Sequence, residues 1–435
     1  MILKNLVLVM IKYRQAADND LEKLLDLIEA GFSVQSKSDN PRASMRIEEG
    51  REHRVLFSYL YSKDDSSLGR VQVAEEGDRL IAAVGFFPQY LFFETIKIPV
   101  WAVSPVVTHP DHRGRDAAGS CLVNALQNLK QSGIPAVFLW GLPRYYPRFG
   151  FVPLMPRYKT KFSGKQLQNT EKNGLIIKDG SFRNAAITDI KMISDLYNQG
   201  NHQYWLQPER SLEWWRLRFA EMDIEDAEYK EVPYPKSKNL LVWEDVSGRL
   251  SGYLYYETIP GQKRLTITEG AASAPESAMA MMHSFMKDYL NPEWTLFARG
   301  TPGHLLNAAL YRMGGTHINP APLAGMLKII DWELLFRYFK PLFNHRLNHW
   351  NAPCQLPDIA TDNGVLHWQW NPDTGIILNF EKTLRQPGRF MEKSELTRLM
   401  FGSCDGLDEF YRENDLLQMV FPVKYPYIWD ANYLY

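Results

Sequence analysis

A strand, a turn, a helix and a second strand follow one another within one stretch of the chain, residues 101–151. The first strand is apolar and β-branched as far as Thr108. His109-Pro110 ends it, because proline lacks an amide proton and restricts the residue before it. Residues 113–119, here called the basic turn, then combine two arginines with an aspartate, glycine and alanine. This order predicts a strand–turn–helix–strand unit of an α/β layer.

Apolar side chains recur at helical spacing after the basic turn, on a face made of Ala118, Leu122, Ala125, Leu126 and Leu129. Gly133 and Pro135 follow, and both residue types are typical of a helix end. Residues 136–140 predict the second strand. Because the turn leads directly into a helix, its backbone N–H groups and the positive helix end can bind an anion.

The composition argues against several classes of function. The 435-residue chain has 49 basic and 50 acidic residues and a net charge of −1, so we expect no nucleic-acid partner and no membrane partner. Three widely spaced cysteines without a C-x-x-C pair indicate a reducing compartment and no metal site. No segment has the roughly eighteen apolar residues of a membrane span, and the apolar run in residues 1–9 is too short for a signal peptide. We therefore expect a cytoplasmic protein.

The order of elements predicts three domains. Residues 1–155 predict an α/β domain with mixed strand directions. Near Phe182 the pattern restarts, since Phe182-Arg183-Asn184-Ala185-Ala186 echoes Tyr13-Arg14-Gln15-Ala16-Ala17 and the same order of elements follows. Residues 156–324 therefore predict a second copy of the first domain. Residues 325–435 have a different pattern and predict an α+β domain, which ends in an aromatic tail that we expect to dock on the protein.

Two motifs resemble those of the GNAT N-acetyltransferases. They are His112-Arg113-Gly114-Arg115 after the fourth predicted strand and Tyr146-Pro147-Arg148-Phe149-Gly150-Phe151 after the fifth. The resemblance implies that the chain binds acetyl-CoA as co-substrate, with the pyrophosphate on the basic turn. The cofactor-binding residues that it implies are Val106, Val107, Thr108, Arg113, Gly114, Arg115, Asp116, Ala117, Ala118 and Gly119.

The whole chain looks like the enhanced intracellular survival (Eis)-type acetyltransferases, which join two GNAT-like domains to a domain similar to sterol carrier proteins. That likeness implies Tyr146 as general acid and the terminal carboxylate of Tyr435 as general base. It also suggests homo-oligomers, hexamers or smaller. Residues 269–276, the counterpart of the basic turn in the second repeat, contain no arginine, which predicts that this repeat has lost its cofactor site.

Asp116 departs from the family pattern, because it stands where the turn has its first glycine. One alternative is an inserted residue, with Gly119 in the place of a glycine. A carboxylate beside a pyrophosphate would repel it by about a kcal/mol or a few. The other alternative is that Asp116 caps the helix and points away.

Acetyl transfer to an amine needs a proton acceptor for the amine, donors for the carbonyl and a proton for the thiolate. The strand residues 106–108 can supply backbone donors, and Tyr146, with a reference pKa of about 10, can supply the proton. The alternatives are a structural strand, a solvated basic loop, a tyrosine that only packs and a tail that only packs. Side chains that could face the acceptor, but that we expect in the core, are Phe86, Phe87, Glu94 and Trp101.

The sequence therefore favours an acetyl-CoA-dependent N-acetyltransferase that acts on a primary amine of a small molecule or on a lysine side chain. No cysteine accompanies the predicted site as an acyl carrier, so we expect direct transfer in a ternary complex. A non-catalytic CoA- or hydrophobic-ligand-binding protein is the alternative. Acyl transfer to an oxygen acceptor is a third possibility.

Overall fold

The structure is a computed structural model. It describes residues 10–33, 53–54, 56–58, 60–61, 67–167, 180–201, 206–212, 214–216, 240–301, 303–355, 358–361, 364–381, 393–401 and 415–422. Among these residues, no helix is long and apolar enough to cross a membrane.

The first repeat alternates strands with two long helices. Its elements are β1 (Lys12–Gln15), α1 (Leu21–Phe32), β2 (Gln72–Glu76), β3 (Arg79–Phe87), β4 (Tyr90–Phe93), β5 (Ile96–Thr108), α2 (Ala117–Gln131), β6 (Ala136–Trp140) and β7 (Val152–Ser163). The predicted stretch from β5 to β6 is confirmed, and Gly133 ends α2 with a φ of +73°.

The second repeat follows the same order. Its elements are β8 (Gly180–Asn184), α3 (Ile190–Asn201), β9 (Gln207–Pro208), β10 (Leu240–Asp245), β11 (Leu250–Ile259), β12 (Arg264–Ala272), α4 (Pro275–Tyr289), β13 (Thr295–Arg299), α5 (Leu305–Arg312) and β14 (Thr316–Ile329). Strands β12 and β13 are parallel, as are β5 and β6, and each pair is connected by a long helix.

A smaller α+β unit closes the described chain. It consists of α6 (Trp332–Leu347), β15 (Cys354–Gln355), β16 (Ile359–Thr361), β17 (Gly364–Asn371), β18 (Gly375–Glu381), α7 (Lys393–Phe401) and α8 (Asp415–Val420). Strand β17 pairs antiparallel with β15, β16 and β18. The mixed α/β fold class with two tandem repeats is confirmed, whereas the domain limits and the likeness to sterol carrier proteins stay predictions.

Two long strands join the repeats into one sheet. The order along it is β1-β2-β3-β5-β6-β14-β7-β13-β12-β11-β10-β8. The end of β14, Gly325–Ile329, pairs with β6 of the first repeat. In return, the end of β7, Lys159–Ser163, pairs with β13 of the second repeat. Each repeat is therefore completed by a strand that the other repeat supplies.

The shared Arg-x-Ala-Ala opening builds the same ion pair in both repeats. Arg14 donates to both carboxylate oxygens of Asp20 (2.5 and 3.0 Å), which also accepts from the Ala17 N–H. Arg183 contacts Asp189 in the same way (2.6 and 2.8 Å), and Asp189 accepts from the backbone of the same loop. Each arginine also bonds a glutamate of the neighbouring strand, Glu75 or Glu244.

Aromatic side chains connect the third unit to the first repeat. The ring of Phe93 at the end of β4 lies 4.7 Å from Phe339 of α6 and 5.3 Å from Phe401 of α7. Glu94, in the turn after β4, pairs with Arg346 of α6. The start of the predicted aromatic tail is docked, because Phe421 is buried, with its ring 5.5 Å from that of Phe343.

We expect Asp20→Asn to lower the free energy of unfolding by about 1–3 kcal/mol, because an amide replaces a charged acceptor of buried hydrogen bonds. Asp189→Asn is the matched variant in the second repeat and should cost a similar amount. The arginines hold the pKa of Asp20 and of Asp189 below the usual value. Each pair therefore stabilises the fold above the unfolded pKa of about 3.9, and this stability is lost as pH falls below that value.

Urea denaturation of the wild type and both variants at about pH 6 and at about pH 3 tests this linkage. Each substitution should lower the free energy of unfolding by less at about pH 3 than at about pH 6. An equal loss at both pH values would contradict a stabilising role of the ionised carboxylates.

Candidate active site

The parallel strands β5 and β6 pair only at first and then separate, which leaves a gap beside the last residues of β5. They pair over Val100–Ala102 and Ala136–Phe138, and no described strand covers this edge of β5 further on. The His109 N–H donates to the Ile81 carbonyl of β3 (2.8 Å). Because the bonding direction alternates along an antiparallel strand, Val106 and Thr108 direct their N–H groups away from β3, toward the gap.

The basic turn leads from this gap into α2. Asp116, the residue before the helix, has a φ of +54°, a left-handed conformation that favours glycine but that aspartate tolerates. A left-handed residue here agrees with the prediction that Asp116 stands where the family turn has its first glycine. The first helical bond joins Ser120 N–H to the Asp116 carbonyl (3.0 Å). The N–H groups of residues 117–119 therefore precede the hydrogen-bonded part of the helix.

A cavity of about 500 Å³ lies at this position, and we call it the cleft. Several predicted site residues line it, namely Val106, Val107, Thr108, Arg113, Gly114, Asp116, Ala118 and Tyr146. Residues that had no predicted role also line it: Gly31, Phe32, Leu142, Tyr145 and Arg148. The two groups come from five separate parts of the first repeat, which the fold brings together around one space.

Three predicted residues lie outside the lining of the cleft. Arg115 points across to Glu76 at the end of β2 and donates to both carboxylate oxygens (2.6 and 3.0 Å). Ala117 is buried in the core beneath α2. Gly119 lies under the carboxylate of Asp116, where a β-carbon would overlap with it.

The end of α1 forms one wall of the cleft. Arg113 Nη2 donates to the Gly31 carbonyl (2.8 Å), which joins the basic turn to that wall. A β-carbon on Gly31 would overlap with Cγ2 of Val107 on β5. Glycine is required beside Val107, because any β-carbon at position 31 would overlap with that valine side chain. Sequence reasoning missed Gly31, since its partner lies 76 positions further along the chain.

Tyr146 lies at the start of a 3₁₀ turn, Tyr146–Phe149, on the opposite wall. Its ring covers Gly141 and packs against Phe151, and the side chain is largely buried. Burial raises the pKa of Tyr146 above its usual value, with a smaller contribution from Tyr145. The phenol therefore keeps its proton at neutral pH and can donate a hydrogen bond into the cleft.

Arg148 extends from the same turn toward the basic turn. Its guanidinium group lies over the rings of Tyr145 (4.3 Å) and Phe149 (4.5 Å) and pairs with Asp116. The Asp116 side chain makes no capping hydrogen bond to α2, so the alternative in which it caps the helix is wrong. Arg148 could have been selected from the sequence, because it belongs to the motif that contains Tyr146. Its partner could not, because Asp116 lies 32 positions earlier in the chain.

Lys328 supports the turn of Tyr146 from the strand of the other repeat. Its ammonium group donates to the Phe149 carbonyl (2.7 Å). Gly150, whose φ is +81°, leaves room for this ammonium group. Burial lowers the pKa of Lys328, and Lys393 of α7 lowers it further. The position of the tyrosine motif therefore depends on β14 as well as on its own sequence.

The equivalent space in the second repeat is filled. Strands β12 and β13 separate after Ile267 and Ala298, but α5 begins there. His304, fully buried at the start of α5, hydrogen-bonds to the Gly270 backbone, and burial lowers its pKa to about 4. A β-carbon on Gly270 would lie 2.8 Å from Leu306. Protein side chains thus take the place that the cleft has in the first repeat.

Tyr435 and its terminal carboxylate lie outside the described residues. Phe86 and Phe87 are buried in the core, as expected. Trp101 is partly buried and packs against the core, and with Phe86 it lines a separate small cavity of about 160 Å³ on the side of α2.

Residues 12–154 match the family model of the acetyltransferase (GNAT) domain. No curated protein sequence matches the chain. The chain thus contains a GNAT acetyltransferase domain, which has its cleft at the separation of β5 and β6, and it is an enzyme of the acetyltransferase class.

Solved structures resemble the fold over nearly the whole chain. A conserved protein of unknown function from Enterococcus faecalis V583, described as a probable N-acyltransferase, is 13% identical with a TM-score of 0.68, covering 97% of this chain and 99% of that one. A GCN5-related N-acetyltransferase from Kribbella flavida is 15% identical with a TM-score of 0.63, covering 97% and 98%. Eis1 from Mycobacterium abscessus is 13% identical with a TM-score of 0.61, covering 97% and 99%. At these identities the likeness is one of fold.

We expect Gly31→Ala to destabilise the protein by about 1–3 kcal/mol, because the new methyl group overlaps with Val107 in a packed wall. Val107→Ala removes the overlapping atom. The double variant should therefore lose less stability than the sum of the two single variants.

Gly69→Ala is the control, since a β-carbon on Gly69 meets no atom within 4 Å. Thermal and urea unfolding of the four variants measures the coupling. Strictly additive losses of stability would show that the β-carbon at position 31 does not clash with the Val107 side chain.

Proposed function

We propose that the protein is an acetyl-CoA-dependent N-acetyltransferase that transfers an acetyl group to a primary amine of a small molecule or of a lysine side chain. The observation that carries this proposal is the combination within one cleft of an uncovered strand edge, the start of α2 and a buried tyrosine. The matched family of residues 12–154 agrees with it.

The residues present fit a CoA thioester. The cleft, at about 500 Å³, lies within the usual range of roughly 300–1,000 Å³ for ligand pockets. The uncovered N–H groups of Val106 and Thr108 can donate to the amide and thioester carbonyls of an extended pantetheine arm. Arg113, with the free N–H groups at the start of α2, can hold phosphate oxygens.

Tyr146 would supply the proton that the departing sulfur needs. In the transfer, the amine nitrogen forms a bond to the acetyl carbon, the carbon–sulfur bond breaks, the sulfur gains a proton and the nitrogen loses one. Tyr146 is protonated at neutral pH, since the usual pKa of tyrosine is about 10 and burial raises the pKa of this residue further. A thiolate formed in the same desolvated cleft is more basic than a free one, with its thiol pKa of about 8.5, and accepts this proton more readily.

Tyr435 is the proposed acceptor of the amine proton, through its terminal carboxylate. A carboxylate with a pKa near 3.5 is a weak base, so it would act through a water molecule or by orienting the ammonium group. This part of the proposal rests on the likeness to Eis-type enzymes and not on any contact of the described residues.

Direct transfer in a ternary complex agrees with the positions of the described cysteines. Cys121 is buried on the core side of α2, and burial raises its pKa to about 12. Cys354 belongs to the third unit, and burial raises its pKa as well. Neither lines the cleft, so neither is placed to carry the acetyl group.

Calorimetric titration with acetyl-CoA tests the proposal directly. We expect a dissociation constant in the micromolar range, about −8 kcal/mol, and release of free CoA thiol when the right amine from a panel is added. The alternative, a non-catalytic binding protein, is favoured by the Asp116 carboxylate beside the proposed phosphate site. Binding heat without thiol release for any amine, or no binding at all, would support that alternative.

Tyr146→Phe should lower kcat by about 10²-fold or more, because the ring contacts remain and only the proton donor is lost. Tyr311→Phe is the matched control, since Tyr311 lies on the exposed side of α5. Deletion of Tyr435 should lower kcat similarly, if the terminal carboxylate takes the amine proton. Turnover within about twofold of the wild type in steady-state assays would contradict the role of the residue concerned.

A further inference from the structure

The ion pair between Asp116 and Arg148 crosses the rim of the cleft. Both side chains line the cleft, and both are about half exposed, at 52% for Asp116 and 47% for Arg148. The guanidinium group of Arg148 lies over the neighbouring rings of Tyr145 and Phe149, and its Nη2 contacts Asp116 of the basic turn.

Arg148 differs from the arginines of the basic turn in the partner that holds it. Arg115 is bound to Glu76 outside the cleft. Arg113 is bound to the neutral Gly31 carbonyl. Arg148 is bound to a carboxylate inside the cleft, which is the kind of group that a phosphate can replace, because guanidinium binds carboxylate and phosphate with the same paired geometry.

The carboxylate of Asp116 lies at the start of α2. It packs on Gly119, in the first turn of the helix, where a β-carbon would overlap with it. It accepts no hydrogen bond from the N–H groups of that turn. A carboxylate is therefore already present beside the positive helix end, and it pairs with Arg148 instead of hydrogen-bonding to the helix N–H groups.

We propose that Arg148 is a ligand of the diphosphate of CoA and that Asp116 competes with this diphosphate for it. Without CoA, Asp116 holds Arg148 beside the basic turn. When CoA binds, the diphosphate takes over Arg148 and the N–H groups of α2, and the carboxylate turns toward solvent. Asp116 thereby limits the affinity for CoA and favours release of the product. The proposal rests on the proposed function, because it assumes a CoA thioester in the cleft.

Binding of three ligands of decreasing charge tests this competition by calorimetry. CoA carries a diphosphate and a 3′-phosphate, dephospho-CoA keeps only the diphosphate, and pantetheine has neither. Asp116→Asn has almost the same shape, and asparagine tolerates the left-handed conformation of this position. It should bind CoA and dephospho-CoA about 10-fold more tightly, because Arg148 is then no longer paired with a carboxylate that the diphosphate must displace, and pantetheine within about twofold of the wild type.

Arg148→Met should have the opposite effect. It keeps the apolar stem over the two rings but removes the charge, so CoA and dephospho-CoA should bind about 10-fold more weakly and with a smaller dependence on salt. In the double variant, the gain from Asp116→Asn should be largely lost, since the carboxylate then has no cation to withhold.

Two further variants separate charge from folding. Asp116→Gly suits the φ of +54° and should reproduce the gain of Asp116→Asn. Gly119→Ala places a methyl group where the Asp116 carboxylate lies, so it should change the affinity for CoA when Asp116 is present. In the Asp116→Gly background the same substitution should change the affinity for CoA little. Thermal unfolding of each variant shows whether the fold persists.

The results distinguish the two levels of the argument. If the wild type binds none of the three ligands, the proposed function is wrong, and the competition with it. If the wild type binds CoA but both Asp116 variants leave its affinity within about twofold, only the competition is wrong. If the variants change the affinity for CoA but not for dephospho-CoA, Arg148 binds the 3′-phosphate, and the diphosphate assignment is overturned.

Discussion

The exchange of strands between the two repeats is the constraint on which most of the structure depends. Strand β14 enters the first repeat between β6 and β7, and β7 continues into the second repeat beside β13. Neither sheet is complete without the other repeat, because each would otherwise leave an unpaired edge of buried N–H and C=O groups. The two repeats therefore form one continuous sheet, and the third unit packs against it through aromatic side chains from β4, α6 and α7.

The geometry of the cleft also depends on the exchange of strands between the repeats. Its two walls come from the first repeat alone, but the turn that carries Tyr146 is held by Lys328, which the exchanged strand delivers. A partly buried ammonium group next to a carbonyl at the end of a helical turn is favourable, because that end carries a partial negative charge. The second repeat has the same framework, yet its separated strands are occupied by His304 and Leu306 of α5. One framework thus supports an open cleft in one repeat and a packed core in the other.

Much of the local structure could be predicted from sequence. The strand that ends at Thr108, the helix whose apolar face begins at Ala118 and the strand at residues 136–140 all depend on periodicity and on proline and glycine positions. The internal repeat was visible in a five-residue echo, because the arginine of each echo pairs with an aspartate only six positions away. The side chains that line the cleft were predicted less completely. Arg115 belongs to the same basic turn as Arg113, and the sequence predicted both as cofactor ligands. The side chain of Arg115 nevertheless points out of the cleft, because it pairs with Glu76, 39 residues earlier.

The sequence by itself determined the elements and the kind of turn that joins them, since these depend on neighbours within a few residues. The left-handed backbone of residue 116, which glycine or aspartate can adopt, became apparent only in the structure. Only the tertiary structure decided that Arg148 meets Asp116, that Gly31 closes a wall against Val107 and that β14 lies beside β6. These contacts join residues that are tens to hundreds of positions apart, and no local pattern records them. Close packing explains the contact of Gly31 with Val107, and strand pairing explains the position of β14. Arg148 meets Asp116 because the fold brings their two turns to the rim of one cleft.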